Sequence, residues 1–106
     1  MADIERSESE YERLSAKYPD RCPIIIKTTK DIPLQKNKLL VKYDDPISVV
    51  VLHIRRLCRL RKDEAIFLFI KNDLISPSRL IKEIYIEHKN VSGMLEINVS
   101  KESTFG

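Results

Sequence analysis

Hydrophobic residues recur at helical spacing in three parts of this chain. Near the start, Tyr11, Leu14 and Tyr18 are three and four residues apart, which predicts a helix over residues 9–18 that Pro19 ends. In the middle of the chain, the predicted buried face of a longer helix consists of Ile47, Val50, Val51, Ile54, Leu57 and Cys58. The predicted core-facing residues of a last helix are Leu80, Ile81, Ile84, Tyr85 and His88.

The residues before the two longer helices are typical of helix starts. Asp45 can cap a helix with its side chain, and Pro46 has the backbone angle of a first helical position. Residues 49–51 are three valines, which favour a strand, but the helical period extends over three turns and outweighs that local preference. The segment Ser76-Pro77-Ser78 predicts the start of the last helix.

Four segments rich in β-branched and other hydrophobic residues predict strands. They cover residues 22–29, 37–43, 65–70 and 94–100. A turn is predicted at residues 71–73, between the third of these strands and the last helix. Pro23 fits a strand start or an edge, because proline has no N–H to donate to a neighbouring strand. In the second segment, three consecutive hydrophobic residues put apolar side chains on both faces, so one face is available to a partner.

The predicted order of elements is helix, two strands, helix, strand, helix, strand. This order indicates an α+β domain with helices packed on a sheet, rather than a repeat or a helical bundle. A chain of 106 residues with 42% hydrophobic residues can fill one such core without a metal or a disulfide. We expect reduced thiols, because Cys22 and Cys58 lack Cys-x-x-Cys spacing and no secretion signal opens the chain.

Charge is unevenly distributed along the sequence. Lys and Arg number 19 against 16 Asp and Glu, but residues 1–17 contain five acids and three bases. From residue 53 to 62 the chain has no acid and five bases, which are Arg55, Arg56, Arg59, Arg61 and Lys62. This segment could bind an acidic peptide, a phosphate or an anionic membrane, or it could simply be a solvated helix face.

The sequence offers little for catalysis. His53 and His88 are not in metal-ligand spacing, and each cysteine is interpreted as a small packing residue because no local base motif accompanies it. No glycine-rich loop is present to hold nucleotide phosphates. We therefore expect no active site, no metal and no cofactor.

The two glycines suggest a different role for the chain. Gly93 lies in a predicted turn, and the sequence ends in Phe105-Gly106. A terminal glycine without a Cβ can thread a narrow channel, be adenylated and reach the cysteine of another enzyme as a thioester. No hydrophobic run approaches the roughly 20 residues that span a bilayer, so membrane association would have to be peripheral or come from a modification.

A series of short segments, in order and nearly without gaps, matches the signatures of one family. The first is Tyr18-Pro-Asp-Arg-Cys-Pro23, and the others are residues 36–41, 54–56, 65–69, 85–88 and 100–106. The first resembles the Tyr-Pro-Asp-Arg-x-Pro signature of the autophagy ubiquitin-like modifiers, the family of GABARAP and the microtubule-associated-protein light chain. The resemblance covers nearly the whole chain.

This resemblance implies a ubiquitin-like β-grasp roll with an added N-terminal helix. It divides the chain into an acidic leader over residues 1–8, the ubiquitin-like domain over 9–100 and a flexible conjugation tail over 101–106. It also implies that Gly106 is transferred to phosphatidylethanolamine, so the protein is a substrate of conjugation and not an enzyme. Phe105, Phe67, Phe69 and Arg55 would then serve recognition of the tail.

The implied partners follow from that role. They are activating-like and conjugating-like enzymes of autophagy, a cysteine protease for delipidation, and receptors that carry an aromatic-x-x-aliphatic motif. The chain would be cytoplasmic, and would lie on the autophagosome membrane when lipidated. No nucleic acid is expected among the partners.

The resemblance also implies a peptide site at the predicted edge strand over residues 37–43, where an extended peptide can add to the sheet. The aromatic pocket would be lined by Glu10, Leu14, Pro23, Ile25, Lys38, Leu40 and Met94. The aliphatic pocket would be lined by Leu39, Val41, Val50 and Leu57. Acidic residues that precede the motif would be met by Arg21, Lys36 and Lys38. Without the family, several of these hydrophobic residues would be interpreted as core.

The chain departs from the family pattern around the aliphatic pocket. Family members usually have an aliphatic residue or proline where this chain has Lys42 and Asp45, a hydrophobic residue in place of His53, and Arg in place of Leu57. We therefore expect a pocket of different shape or preference. Two other functions stay open, namely a modifier attached to a protein lysine, and an unconjugated basic module for anionic lipid or nucleic acid.

Overall fold

The computed structural model describes residues 11–34, 36–89 and 93–102, and within them the chain forms a five-stranded sheet with three helical segments. In chain order the elements are α1 (residues 11–17), β1 (Arg21–Thr28), β2 (Lys38–Lys42), α2 (Ile47–Cys58), β3 (Phe67–Ile70), β4 (Asp73–Leu74), α3 (Ile81–His88) and β5 (Leu95–Ser100). The acidic leader predicted over residues 1–8 and the last four residues of the tail lie outside the described residues.

The sheet is mixed, with strand order β2-β1-β5-β3-β4. Strands β1 and β5 are parallel at its centre, and the other neighbouring pairs are antiparallel. The predicted edge strand is confirmed, because β2 pairs with β1 alone among the described strands. Pro23 lies in central strand β1 and not at a sheet edge. Its missing N–H is tolerated because the pairing of β1 with β5 begins only at Ile24.

The register of β1 and β2 assigns their side chains to two faces. Ile24 lies opposite Leu39, whereas Pro23 lies opposite Leu40. Because side chains alternate along a strand, the first pair belongs to one face of the sheet and the second pair to the other. The first face is the core side, where β1 contributes Ile24 with no exposed surface. Residues of α2, α3 and β5 in the same buried cluster are Ile47, Val50, Ile54, Ile81, Ile84, Leu95, Ile97 and Val99.

The starts of α2 and α3 are stabilised by each other's backbone. The N–H of Ile47 donates to the carbonyl of Arg79 (2.8 Å), and the N–H of Ile81 donates to the carbonyl of Asp45 (2.9 Å). These bonds satisfy N–H groups that have no partner within a helix, and α2 has no side-chain cap. At α3 the side chain of Glu83 also accepts a hydrogen bond from the N–H of Leu80 (2.9 Å). The prediction that Asp45 caps α2 is therefore wrong. The N-cap residue is Pro46, and the helix begins at Ile47.

The same arrangement explains why α3 begins later than predicted. Residues 76–78 were expected to start the helix, with Leu80 on its core face. Instead, the carbonyl of Pro77 accepts a hydrogen bond from the N–H of Ser48 (2.9 Å), and Leu80 forms a β-bridge with Pro46. The backbone of this segment is thus used to hold α2, and helix α3 starts at Ile81. His88, predicted to face the core, is half-buried with its Nε2 atom 3.5 Å from Glu87.

Candidate functional site

An open groove of about 630 Å³ lies between α1, β2 and α2. Its apolar lining consists of Leu14, Pro23, Leu39, Leu40, Leu57 and Met94. Its remaining lining residues are Arg13, Lys36, Lys38, His53 and Arg56. The groove is thus an apolar surface bordered by cationic side chains.

Local structure explains how these residues meet. Pro23 and Leu40 are cross-strand neighbours on the sheet face away from the main core. Helix α1 leads directly into β1, since the N–H of Arg21 donates to the carbonyl of Tyr18 (3.1 Å), and this places Leu14 beside that pair in the groove. On α2, positions 53, 56 and 57 fall on one helical face and form the opposite wall.

The electrostatics of the groove favour an anionic partner. No Asp or Glu is among the described lining residues, whereas four lining residues are Arg or Lys. The side chains of Arg13, Lys36 and Arg56 have no ion-pair partner within the described ranges. Unpaired bases of this kind attract acidic ligands and raise their association rate, an effect that salt screens.

The outer edge of β2 adds a second means of binding. Because β2 pairs with β1 on one side only, within the described part of the chain the N–H and C=O groups on its other side have no strand partner. Such an edge can hydrogen-bond an extended peptide, with alternate side chains of the peptide entering adjacent pockets. The apolar groove lies directly beside this edge, since Lys38, Leu39 and Leu40 belong to both.

Most of the predicted aromatic-pocket residues come together in the groove. Leu14, Pro23, Lys38, Leu40 and Met94 all line it. Ile25 is half-buried opposite Lys38 in the strand register and is not part of the lining. Glu10 lies outside the described residues.

The predicted aliphatic pocket is divided between groove and core. Leu39 and Leu57 line the groove, and Leu57 is 45% exposed although its helical position predicted burial. Val41 and Val50 are 2% and 0% exposed and belong to the main core cluster. Of the four residues predicted to line the aliphatic pocket, only Leu39 and Leu57 are therefore accessible from the groove.

The three bases predicted to meet acidic flanking residues are not grouped together. Lys36 and Lys38 line the groove. Arg21 lies opposite Lys42 in the strand register, at the other end of the paired strands β1 and β2. The structure adds Arg13 and Arg56, which the sequence prediction did not assign to the site. Their positions next to Leu14 and Leu57 are the sequence signal that could have indicated them.

The residues predicted to recognise the conjugation tail lie at the β3 side of the fold. Phe67 is paired with Ser100 and lines a smaller cavity of about 400 Å³ between α2 and β3, whereas Phe69 is 1% exposed. Arg55 donates from its two terminal nitrogens to the carbonyls of Glu64 (2.6 Å) and Arg61 (2.7 Å). Arg55 thereby holds the loop after α2. Phe105 and Gly106 lie outside the described residues.

Reactive chemistry is not favoured at either cysteine. Burial raises the pKa of the Cys22 thiol to about 12, and burial also raises the pKa of Cys58. In the part of the chain that the structure describes, no three His, Cys, Asp or Glu side chains come together as a metal site. Nor does any helix there have the length and hydrophobicity to cross a membrane.

A mixed five-stranded sheet with two parallel central strands and two helices on its core face defines a ubiquitin-like β-grasp fold, here with α1 added. Residues 5–106 match the family described as "Autophagy protein Atg8 ubiquitin like". This chain therefore belongs to the Atg8 family, the family of GABARAP and the microtubule-associated-protein light chain, as its sequence motifs indicated.

Individual relatives agree with this assignment. The chain is 36% identical to Autophagy-related protein 8d of Arabidopsis thaliana, in a match covering 97% of this chain and 88% of the relative. It is 39% identical to Autophagy-related protein 8 of Mycosarcoma maydis, with 97% and 90% covered. The crystal structure of Trypanosoma brucei ATG8 superposes with a TM-score of 0.87 at 30% identity, covering 96% of this chain and 90% of that one.

Proposed function

We propose that this chain is a ubiquitin-like modifier that is conjugated through Gly106 to phosphatidylethanolamine and acts in autophagosome formation. In this role it recruits partners by binding aromatic-x-x-aliphatic peptide motifs. The observation that carries the peptide-binding part is the position of the apolar groove beside the unpaired edge of β2. Family membership supports the autophagy role as a whole.

Strand addition accounts for both affinity and selectivity at this site. The backbone of β2 would hydrogen-bond the peptide, and the aromatic anchor would enter the part of the groove formed by Leu14, Pro23 and Leu40. The aliphatic anchor would pack on Leu39 and Leu57. The bases at the border would pair with acidic residues flanking the motif, which affects association rate more than affinity.

Conjugation would supply a membrane anchor to this chain. The two acyl chains of the attached lipid hold a protein on a bilayer far more firmly than a single chain does. In this reaction the chain is the substrate, and enzymes of the activating-like and conjugating-like classes perform the chemistry. A cysteine protease would reverse it. The chain would be cytoplasmic before conjugation and on the autophagosome membrane afterwards.

The basic segment after His53 gives no support to the alternative of a nucleic-acid module. Arg55 is engaged with two backbone carbonyls, and the Arg61 Nε atom lies 3.4 Å from carboxylate oxygens of both Asp63 and Glu64. Two of the five bases in this segment, Arg55 and Arg61, are therefore engaged with neighbouring groups of the chain. We infer no nucleic-acid partner.

Calorimetry with a Trp-x-x-Leu peptide tests the groove. Combining Lys38→Glu with Leu40→Ala should weaken binding by about 2 kcal/mol or more, roughly 30-fold, as expected for loss of an interface hot spot. A matched control combines Lys71→Glu with Ile86→Ala, two exposed positions away from the groove. Unchanged affinity in the first variant, or equal loss in both, contradicts the assignment of the groove.

A separate experiment tests conjugation. A tagged copy with Gly106→Ala should fail to become lipidated and should not form puncta in starved cells. Mass spectrometry of the membrane-bound wild-type chain should show phosphatidylethanolamine on the terminal carboxyl group. An isopeptide bond to a protein lysine at that position would favour the alternative modifier, and an unmodified terminus would overturn both.

A further inference from the structure

The part of the groove that would receive the second anchor of a peptide motif is shallow. Leu57 on α2 is 45% exposed, and Leu39 on β2 is half-buried. Val41 and Val50, which were also expected to line this pocket, are 2% and 0% exposed and belong to the main core. A side chain bound here therefore lies on the two leucines and does not reach the valines.

Two polar side chains of α2 border these leucines. His53 is four residues before Leu57 and three before Arg56, so the three side chains share one face of the helix, and all of them line the groove. The side chains of His53 and Arg56 are exposed and have no hydrogen-bond or ion-pair partner in the described part of the chain. We call the surface made by Leu39, His53, Arg56 and Leu57 the second-anchor surface. It combines an apolar floor with a border that can form hydrogen bonds.

The chemistry of this surface matches an aromatic side chain with a hydroxyl group better than an aliphatic one. An aliphatic anchor would contact the leucines, but it would take water away from the imidazole of His53 and offer it no hydrogen bond in return. An aromatic ring covers more of a shallow surface, and its face can pack against the guanidinium of Arg56. A phenol hydroxyl can also donate to or accept from an imidazole nitrogen. Tyrosine is the residue that supplies both the ring and the hydroxyl.

We propose that the second-anchor surface selects tyrosine at the last position of the bound motif, with the ring on Leu39 and Leu57 and the hydroxyl bonded to His53. This proposal rests on the proposed function, because the first aromatic anchor must occupy the other part of the groove. A motif with an aliphatic last residue still binds through the leucines, but more weakly. His53 is then a specificity-determining residue, which distinguishes partners by the last residue of their motif.

Calorimetry on the full chain with three peptides tests this selection. The peptides are Trp-x-x-Leu, Trp-x-x-Phe and Trp-x-x-Tyr, identical at all other positions and free of acidic residues, so that only the last side chain differs. We expect the tyrosine peptide to bind about fivefold more tightly than the leucine peptide, with the phenylalanine peptide between them, as one aromatic contact and one hydrogen bond would give. Equal or tighter binding of the leucine peptide, or equal binding of the two aromatic peptides, overturns the proposal.

His53→Leu assigns the effect of the hydroxyl. Leucine is a good helix former, and position 53 is exposed, so the fold is retained. This variant should bind the phenylalanine and tyrosine peptides equally, because the partner of the hydroxyl is gone. The matched control is His88→Leu, at the other histidine, which does not line the groove, and it should keep the advantage of tyrosine. An undiminished advantage in His53→Leu contradicts the role of this residue.

Leu57→Ala locates the ring of the tyrosine. A fourth peptide, Trp-x-x-Ala, keeps the first anchor and lacks the second. The variant should weaken binding of the tyrosine peptide but leave that of the alanine peptide unchanged, because only the former contacts Leu57. Unchanged affinity for the tyrosine peptide, or equal loss for both, would show that the ring does not lie on the second-anchor surface.

These experiments separate the selection of tyrosine from the function on which it rests. If none of the peptides binds the wild type, peptide recognition in the groove is overturned, and the selection with it. If the leucine, phenylalanine and tyrosine peptides bind equally well, the selection alone is overturned. NMR of the wild type adds a readout that needs no variant, since the tyrosine peptide should shift the ring-nitrogen signals of His53 more than the phenylalanine peptide does. Equal shifts with both peptides contradict the proposed hydrogen bond.

Discussion

The ammonium nitrogen of Lys101 lies 2.8 Å from a carboxylate oxygen of Glu64, which ties the first residue after β5 to the loop after α2. The other carboxylate oxygen of Glu64 accepts a hydrogen bond from the N–H of Arg61 (3.0 Å). The backbone carbonyl of Glu64 accepts another from Arg55. The chain immediately after β5 is therefore anchored to the same loop that Arg55 holds.

Lys101→Met should raise the pKa of Glu64. The hydrogen bond from Lys101, followed by that from the Arg61 backbone, lowers this pKa below its usual range. The bond stabilises the fold above about pH 4.3, the ordinary carboxyl value, and this stabilisation is lost as the pH falls through the lower folded-state value. NMR titration of the Glu64 carboxyl carbon measures the shift. An unchanged titration in Lys101→Met, with Lys27→Met as the control, would argue against the contact.

Arg55→Lys should loosen the loop after α2. The two guanidinium nitrogens of Arg55 reach two different carbonyls, and a single ammonium group cannot reproduce that fork. Loss of one such bond costs about 1 kcal/mol. Hydrogen exchange of the amides over residues 59–64 should become faster than in the wild type. Arg56→Lys is the matched control, because Arg56 makes no such bonds within the described chain, and equal exchange in both variants would contradict this role.

Gly93→Ala should destabilise the protein and displace α1. Gly93 has a φ of +89°, and a Cβ there would lie 2.8–2.9 Å from ring atoms of Tyr11. The hydroxyl of Tyr85 donates to the Gly93 carbonyl (2.6 Å) and also contacts the Tyr11 hydroxyl (3.2 Å), so the change affects a contact between three segments. We expect a loss of about 1–3 kcal/mol in the free energy of unfolding.

Two measurements check this prediction. Denaturant unfolding gives the stability loss, and calorimetry with the Trp-x-x-Leu peptide should show weaker binding, because α1 carries Leu14 into the groove. Asn72→Ala, in an exposed turn, serves as the control. Wild-type stability in Gly93→Ala would show that the turn accommodates the added methyl group.

The sequence predicted those elements whose pattern is local. Helix α2 was predictable because its hydrophobic period repeats over three turns, and β1 because β-branched residues dominate it. Strand β4 was not predicted, because a strand of two residues is too short to show an alternation of hydrophobic and polar side chains. The late start of α3 depends on backbone bonds between residues about 30 positions apart in sequence, which no local pattern reveals.

The residues of the groove were likewise predictable only where a local sequence motif marks them. Family motifs indicated Leu14, Pro23 and Leu40, and the structure brings them together. Arg13 and Arg56 were missed because their orientation depends on how α1 and α2 pack against the sheet. Val41 and Val50 were assigned to a pocket, but their burial in the core follows from strand register and helix face in three dimensions.

The two thiols should resist alkylation in the folded protein and differ from each other. Cys22 has no exposed surface, and with a pKa of about 12 roughly one molecule in ten thousand carries its thiolate at about pH 8. Cys58 is 8% exposed, so it should react first with iodoacetamide. Mass spectrometry over time, with Cys58→Ala to isolate Cys22, gives the two rates. In concentrated guanidinium both rates should become fast and similar, because the burial that raises the pKa is lost. Rapid alkylation of Cys22 in the native protein would show that β1 opens locally or that this thiol is not buried as described.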